Sequence, residues 1–357
     1  MWPDSRISRL FRIDIPIVQA PMAGETDRSQ LAAAVSNAGG LGSTGVAYLQ
    51  PDAVRARIRD IRRLTDRPFG VNLFAPVVGD TTPEKVDRAQ TLLASWRARY
   101  ALDNDTPSLT MPDFTAQLAV VMEERPAVLS FTFGCPTKQQ VLAARGAGIV
   151  VAGTATTVPE AEALAAVGVD VIIAQGAEAG AHRGTFLAPF ADSQIGLVAL
   201  VPAILARVKQ PVLAAGGIMD GRGIAAALML GASGVQLGTA FLVSHESGAS
   251  PSWKNAILGL DSDRTQVTQI FSGRPARGIR NAMMKNLEPY ADELPGFPAM
   301  NGLTRAIRGA AARAGDADAQ SLWAGQGAPL ARAMPAGDLL RLLASETAAR
   351  LNEGFQG

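Results

Sequence analysis

The chain has 357 residues, with 33 Lys plus Arg against 32 Asp plus Glu and a formal net charge of +1, a balance that excludes the basic face a general nucleic-acid binder needs for counterion release. One Cys excludes an intrachain disulfide, a Cys-cluster zinc site and iron–sulfur ligation, and two His without an HExxH pair argue against a His-rich metal centre. With 48% hydrophobic and 18% charged residues, against ~25% charged in typical chains, the sequence can bury a large core and is not disordered.

The N-terminal stretch MWPDSRISRLFR is broken by charges and has no apolar run of the kind a secretory signal needs. The longest apolar run, 195–206, contains Pro202 and falls short of the ~18 residues that span a bilayer. A soluble, cytoplasmic protein is expected, without nucleic-acid or membrane partners; self-association stays open. From residue 15 onward, short apolar stretches alternate with Ala-rich amphipathic ones, the pattern of βα units around a parallel sheet. Strands are predicted at 15–22, 40–45, 69–74, 128–133, 148–155, 169–176, 211–217 and 234–242. Helix patterns fall at 28–38, 139–145, 158–167, 195–208 and 221–230, the last with Asp220 as N-cap.

Eight such units match the ~250 residues usual for a (β/α)8 TIM barrel. A doubly wound sheet would also alternate, but Met22, Asn72, Gln175, Gly217 and Gly238 all fall at the carboxyl ends of their strands, the active-site face of a barrel. The expected α/β organisation is a barrel over 1–249 with an insertion at 75–127, carrying helix patterns at 83–101 and 112–125. A mainly helical accessory region follows at 250–320. A C-terminal helical segment, 321–357, then packs on the barrel, with one amphipathic helix at 337–351.

Two Gly-rich loops, AAGGIMDGRG (214–223) and VQLGTAF (235–241), close the seventh and eighth predicted strands. Each alone is a tight turn; together, at consecutive strand ends, they form the loops that bind phosphate through backbone N–H groups in many barrels. There is no Walker lysine, and GRGIAAA lacks the acidic ribose partner of a dinucleotide fingerprint. His182, in QGAEAGAHRGTF just past the sixth strand, is placed to face a ligand, and an imidazole titrating near neutrality suits a general base. Glu178 could orient that loop or be a solvated carboxylate. His245 reads as a surface or helix-start residue, and Cys135 as a small buried thiol. The amides of Asn72 and Gln175 either bond the edge of a planar heterocycle or brace neighbouring loops. Phosphate loops, amides and one His on a single barrel face describe a site for flavin mononucleotide (FMN).

The segments PIVQAPMAG (16–24), AAVSNAGGLGS (33–43), FGVNLF (69–74) and FTFGCP (131–136) carry a recognisable pattern. So do QGAEAGAHRGTF (175–186), the long block 211–242, SGRPARGI (272–279) and LWAGQG (322–327). Over nearly its whole length the chain resembles nitronate monooxygenase, formerly 2-nitropropane dioxygenase, of class I. The related flavin-dependent enoyl-ACP reductase shares the barrel and the early motifs, so an NAD(P)H-driven reductase of an enoyl thioester or quinone is the alternative. The resemblance implies non-covalent FMN lined by Ala20, Pro21 and Met22 and bonded by Asn72 and Gln175. Gly180, Gly217, Gln236, Gly238 and Thr239 would hold ring and phosphate. His182 matches the catalytic His, which would deprotonate a nitroalkane or steer a nitronate, with oxygen as co-substrate and a carbonyl compound and nitrite as products. Four positions depart from the usual pattern: Ala181 stands where relatives usually have Gly, Glu25 follows PMAG in place of a frequent Gly, and Phe297 and Asn301 occupy positions where some relatives carry tyrosines.

Overall fold

A computed structural model describes residues 5–77, 79–103 and 107–353. The first nine strands, in chain order, are β1 (Ile17–Gln19), β2 (Gly42–Gly45), β3 (Phe69–Phe74), β4 (Val128–Thr132), β5 (Val150–Ala155), β6 (Val171–Gln175), β7 (Ala181–His182), β8 (Val212–Ala215) and β9 (Gly234–Leu237). All but β7 form one parallel sheet, ordered β1-β9-β8-β6-β5-β4-β3-β2. Its two ends meet at a parallel bridge between Val18 and Leu41, where Leu41 N donates to Ile17 O (3.0 Å) and Gln19 N to Leu41 O (2.9 Å). The ring is the predicted (β/α)8 barrel.

Side-chain alternation along each strand explains both layers. On β6, Val171 and Ile173 point into the ring and Ile172 and Ala174 toward the helices; on β8, Leu213 and Ala215 point in and Val212 and Ala214 out. The helices Ser29–Asn37, Pro51–Leu64, Phe114–Glu124, Lys138–Gly146, Val158–Val167, Leu197–Leu205 and Gly221–Met229 surround the sheet. Their starts are fixed locally. Asp220 accepts from the N–H groups of Arg222 (3.0 Å) and Gly223 (3.1 Å) as predicted, and Thr137 with Gln140 forms a capping box.

Several expectations need amendment. The strand predicted at 234–242 ends at Leu237; Gly238 leaves the strand and Thr239–Leu242 is one helical turn. A continuous apolar run has no period that separates a buried strand from a buried turn. The pattern at 112–125 is the helix Phe114–Glu124, which packs on β3 and on Pro51–Leu64 as the third helix of the ring. Within 250–320 lie not only the helices Pro251–Leu258, Ala282–Leu287 and Ala299–Arg313 but also two strands, β10 (Thr265–Thr268) and β11 (Ala276–Ile279). These make an antiparallel sheet with β7, in the order β10-β11-β7.

The helix Pro83–Arg99 and the accessory helices share a second core, in which Leu93 and Trp96 pack with Met283, Met300, Leu303 and Ile307. A short N-terminal helix, Arg6–Phe11, brings Ile7 and Phe11 against Val18, Val128, Val171 and Leu213 at the amino-terminal end of the strands. The last helix, Ala336–Glu353, packs on Gly221–Met229 and Ser29–Asn37 and buries Leu339, Leu340 and Leu343. At ~1.5–3 kcal/mol for each fully buried side chain, those three leucines anchor the C-terminal segment to the ring. No helix among the described residues is long and apolar enough to cross a membrane.

Candidate active site

A cavity of about 440 Å3 opens at the carboxyl ends of the barrel strands, within the ~300–1,000 Å3 usual for small-molecule sites. The same alternation that hides Ile173 turns Asn72 of β3, Gln175 of β6 and Gln236 of β9 inward at their strand ends. Those three line the cavity together with Ala20, Pro21 and Met22 after β1, Gly217 after β8, and Gly238 and Thr239 after β9. Gly180 and His182 come from the loop after β6. Every site residue named from the sequence therefore faces one space.

The loop carrying His182 is held from several sides. Gln175 donates from Nε2 to His182 O (3.0 Å), and its Oε1 accepts from Gly184 N (2.8 Å) and Arg183 Nη1 (3.1 Å). Arg183 is buried, and its Nη2 donates to Ser193 O (2.9 Å). The buried Glu160 carboxylate accepts from Phe186 N (2.5 Å) and Leu187 N (3.0 Å). On the other side β7 pairs with β11, His182 opposite Ala276 and Ala181 opposite Arg277. Glu178 is part of the same framework: its Oε1 accepts from Leu197 N (2.9 Å) at the start of a ring helix. Gly180 packs so closely that a Cβ there would lie 2.5 Å from Gly325 N.

His182 Nε2 lies 2.9 Å from Ser272 Oγ. Its ring sits among Phe133, Phe297, Trp323 and Phe74, with centroids 5.5, 6.0, 5.7 and 6.4 Å away. Burial, then the charges of Arg274 and Arg308, push the imidazole pKa from 6.5 down to about 3. The expectation that His182 titrates near neutrality is thereby corrected: apolar rings cannot solvate an imidazolium, and the nearest ionic groups share its sign. His182 is a neutral imidazole at physiological pH.

Polar capacity toward the cavity is unevenly distributed. Asn72 Nδ2 lies within bonding distance of Ser130 O (3.1 Å), Ser130 Oγ (2.9 Å) and Thr132 Oγ1 (3.1 Å), leaving Oδ1 without a protein partner. Gln175 retains one N–H, and among the described residues Gln236 makes no side-chain hydrogen bond. Gly217 has φ +67, a left-handed conformation that lets its backbone turn at the end of the β8 loop. Thr239 Oγ1 accepts from Gly325 N (3.0 Å), so the segment 322–327 closes this side of the site. The loop after β1 is tied down by buried Asp27, whose Oδ2 accepts from Met22 N (2.5 Å) and Gly45 N (2.6 Å).

Among the described residues the cavity lining contains no Asp, Glu or Lys, and its ionic side chains are Arg305 and Arg308. Arg274 stands close by, its guanidinium 4.1 Å from the Phe133 ring centroid. These arginines, Ser272, Tyr48, Phe74, Phe133 and Trp323 were not singled out from the sequence. Ser272 and Trp323 lie inside motifs that were visible there; Arg308 lies in the region read only as a mainly helical accessory layer. Phe297 and Asn301 are both at the site. His245 is exposed, as its surface reading expects; Cys135, expected as a buried thiol, is only half-buried, packing on the core with its thiol pushed up by burial. Neither lines the cavity.

Residues 4–346 match the sequence profile of the nitronate monooxygenase family. The chain is 45% identical to a nitronate monooxygenase of Pseudomonas aeruginosa PAO1, over 96% of this chain and 98% of the relative. Among solved structures, a nitroalkane oxidase from Streptomyces ansochromogenes superposes with a TM-score of 0.91 at 42% identity, covering 97% of this chain and 99% of that one. FabK from Thermotoga maritima superposes with a TM-score of 0.75 at 29% identity, covering 98% of each chain.

Proposed function

The chain belongs to the nitronate monooxygenase family and is an oxidoreductase; on that premise we propose that it uses non-covalently bound FMN and molecular oxygen to convert alkyl nitronates to carbonyl compounds and nitrite. The observation that carries this reading is the pairing, in one cavity, of ring-binding amides and phosphate-type loops with a neutral His182 and cationic walls.

The residues fit FMN. Asn72 Oδ1, Gln236 and the remaining N–H of Gln175 offer the mixed donors and acceptors that a flavin ring edge needs. Gly217, Gly238 and Thr239, at the ends of β8 and β9, supply backbone at the place where barrels bind phosphate. When bound, FMN supplies the one-electron oxidation that no side chain in the cavity performs.

The protein's own part is positioning and proton handling. Ser272 has one hydroxyl proton and two acceptors for it, His182 Nε2 (2.9 Å) and Arg274 O (3.1 Å). With the Ser272 hydroxyl donating to Arg274 O, Nε2–H donates to Ser272 and Nδ1 is a free base that accepts the α-proton of a neutral nitroalkane. With the Ser272 hydroxyl donating to a bare Nε2, Nδ1–H donates to an oxygen of a nitronate. This assignment follows from the hydrogen-bond network.

Purified protein should show the blue and near-ultraviolet absorbance bands of a flavin. With propyl nitronate it should consume oxygen and release nitrite. Absent flavin bands would remove the basis of the reading. Rapid bleaching by NADH under anaerobic conditions, without nitrite release from a nitronate, would assign the chain to the reductase alternative instead.

A further inference from the structure

The Arg308 guanidinium is charged, immobilised and unpaired. Its Nε lies 3.1 Å from Thr304 Oγ1, its Nη1 3.3 Å from Ser321 Oγ, and its Nη2 3.1 Å from Asn301 O and 2.8 Å from Asn301 Oδ1. All four partners are neutral. Among the described residues no carboxylate lies within ion-pairing distance of Arg308, whereas most arginines on the surface have one, such as Arg55 with Glu124 (3.1 Å). Burial lowers its pKa to about 10, so the charge persists at neutral pH.

Withdrawing a guanidinium from water without a counter-charge is costly. Four of its five N–H groups are spent on holding it still, and one on Nη1 remains. Arg305 adds a second positive charge to the same wall and faces the Tyr48 ring at 5.7 Å. A neutral ligand would leave these charges uncompensated; an anion would compensate them. Both cations sit on the helix Ala299–Arg313, which also carries Asn301, so one element sets the charge of the cavity.

We propose that Arg308 is the specificity residue that makes this cavity select an anion: its guanidinium binds the oxygens of a preformed nitronate beside His182 and disfavours the neutral nitroalkane. The selection has two parts. Arg308 attracts the anionic substrate directly, and its charge opposes the imidazolium that deprotonation of a neutral nitroalkane would create on His182. The assignment to a nitronate rests on the function proposed above; the anion site itself does not.

Nitrate, a planar oxyanion, is the probe. FMN-loaded protein is titrated with sodium nitrate at constant ionic strength, following the fluorescence of Trp323 and Trp253, which line the cavity. Arg308→Gln should weaken nitrate binding by ~10–100-fold, the range of a lost charge-assisted hydrogen bond. It should raise KM for propyl nitronate by a similar factor with kcat within a few-fold. Arg308→Lys, which keeps the charge, should recover most of the affinity. Asn301→Ala, which leaves the charge but loosens its support, should weaken nitrate by ~3–10-fold and stands in if the Gln variant fails to fold. Unchanged nitrate affinity in Arg308→Gln or Asn301→Ala, or a Lys variant as weak as the Gln one, overturns the proposal. Arg308-dependent nitrate binding without nitronate turnover would leave the anion site standing and remove nitronate oxidation. Nitronate turnover with an unaltered KM in Arg308→Gln would do the reverse.

Discussion

Ala181 has φ +60, the left-handed conformation in which a Cβ crowds the following carbonyl. A Gly would carry no such strain, and the cost is local because β7 pairing with β11 holds the backbone there. Ala181→Gly should raise stability by ~0.5–1 kcal/mol, the relieved strain minus the extra chain entropy of Gly, measured as a rise in melting temperature; a fall would mean the methyl packs usefully. His182 leads to a pH prediction. With its pKa held near 3, the imidazole stays neutral from pH 5 to 9, so kcat/KM for a nitronate should show no inflection near 6.5. An inflection there would mean that ligand binding restores an ordinary imidazole. Ser272→Ala should lower kcat/KM by ~10-fold, about one hydrogen bond, while FMN affinity measured by fluorescence stays unchanged. His182 was legible because it follows a strand end on the active-site face. Its depressed basicity was not, because the four rings and two arginines responsible come from distant parts of the chain.

Among the elements, the loop after β1 depends on a carboxylate. Burial pushes Asp27 up to about 7, against the pull of hydrogen bonds from Met22 and Gly45, the charge of Arg57 and a hydrogen bond from Thr44. A carboxyl raised in the fold adds stability that is full below its unfolded value of 3.8 and is lost as pH rises through 7. The wild type should therefore lose stability relative to Asp27→Asn between pH 5 and 8, by at most ~1.4 kcal/mol per pH unit. His182 acts in the opposite sense, its contribution present above 6.5 and lost as pH falls toward 3, but it is common to both proteins and cancels in the difference. Parallel melting curves across that range would show that Asp27 does not titrate there. The strands themselves were legible because each pairs a buried face with an inward one. β10 and β11 were not: they are four residues each, polar or mixed, and held by pairing with each other and with β7 rather than by a hydrophobic period.

Across the whole molecule, the two segments that break the βα rhythm meet each other. The helix Pro83–Arg99 and the helix Ala299–Arg313 bury one face each in the second core, and the latter turns Asn301, Arg305 and Arg308 toward the cavity. Ile307, fully buried between those polar positions, ties stability to the site. Ile307→Ala should cost ~2–5 kcal/mol, read from denaturant unfolding, and raise KM for the nitronate by disordering Arg308. A stability loss with an unchanged KM would show that the helix keeps its place without that contact.

The sequence by itself determined the barrel and its active-site face, because strand period, Gly-rich turns and strand-end amides are local signals repeated along the chain. Tertiary structure alone decided the chemistry of the space between them. The neutrality of His182, the unpaired charge of Arg308 and the fixing of β7 by β11 each arise from residues up to 126 positions apart (182 to 308). Dielectric environment and long-range charge belong to the packed arrangement, and no local pattern in the chain encodes them.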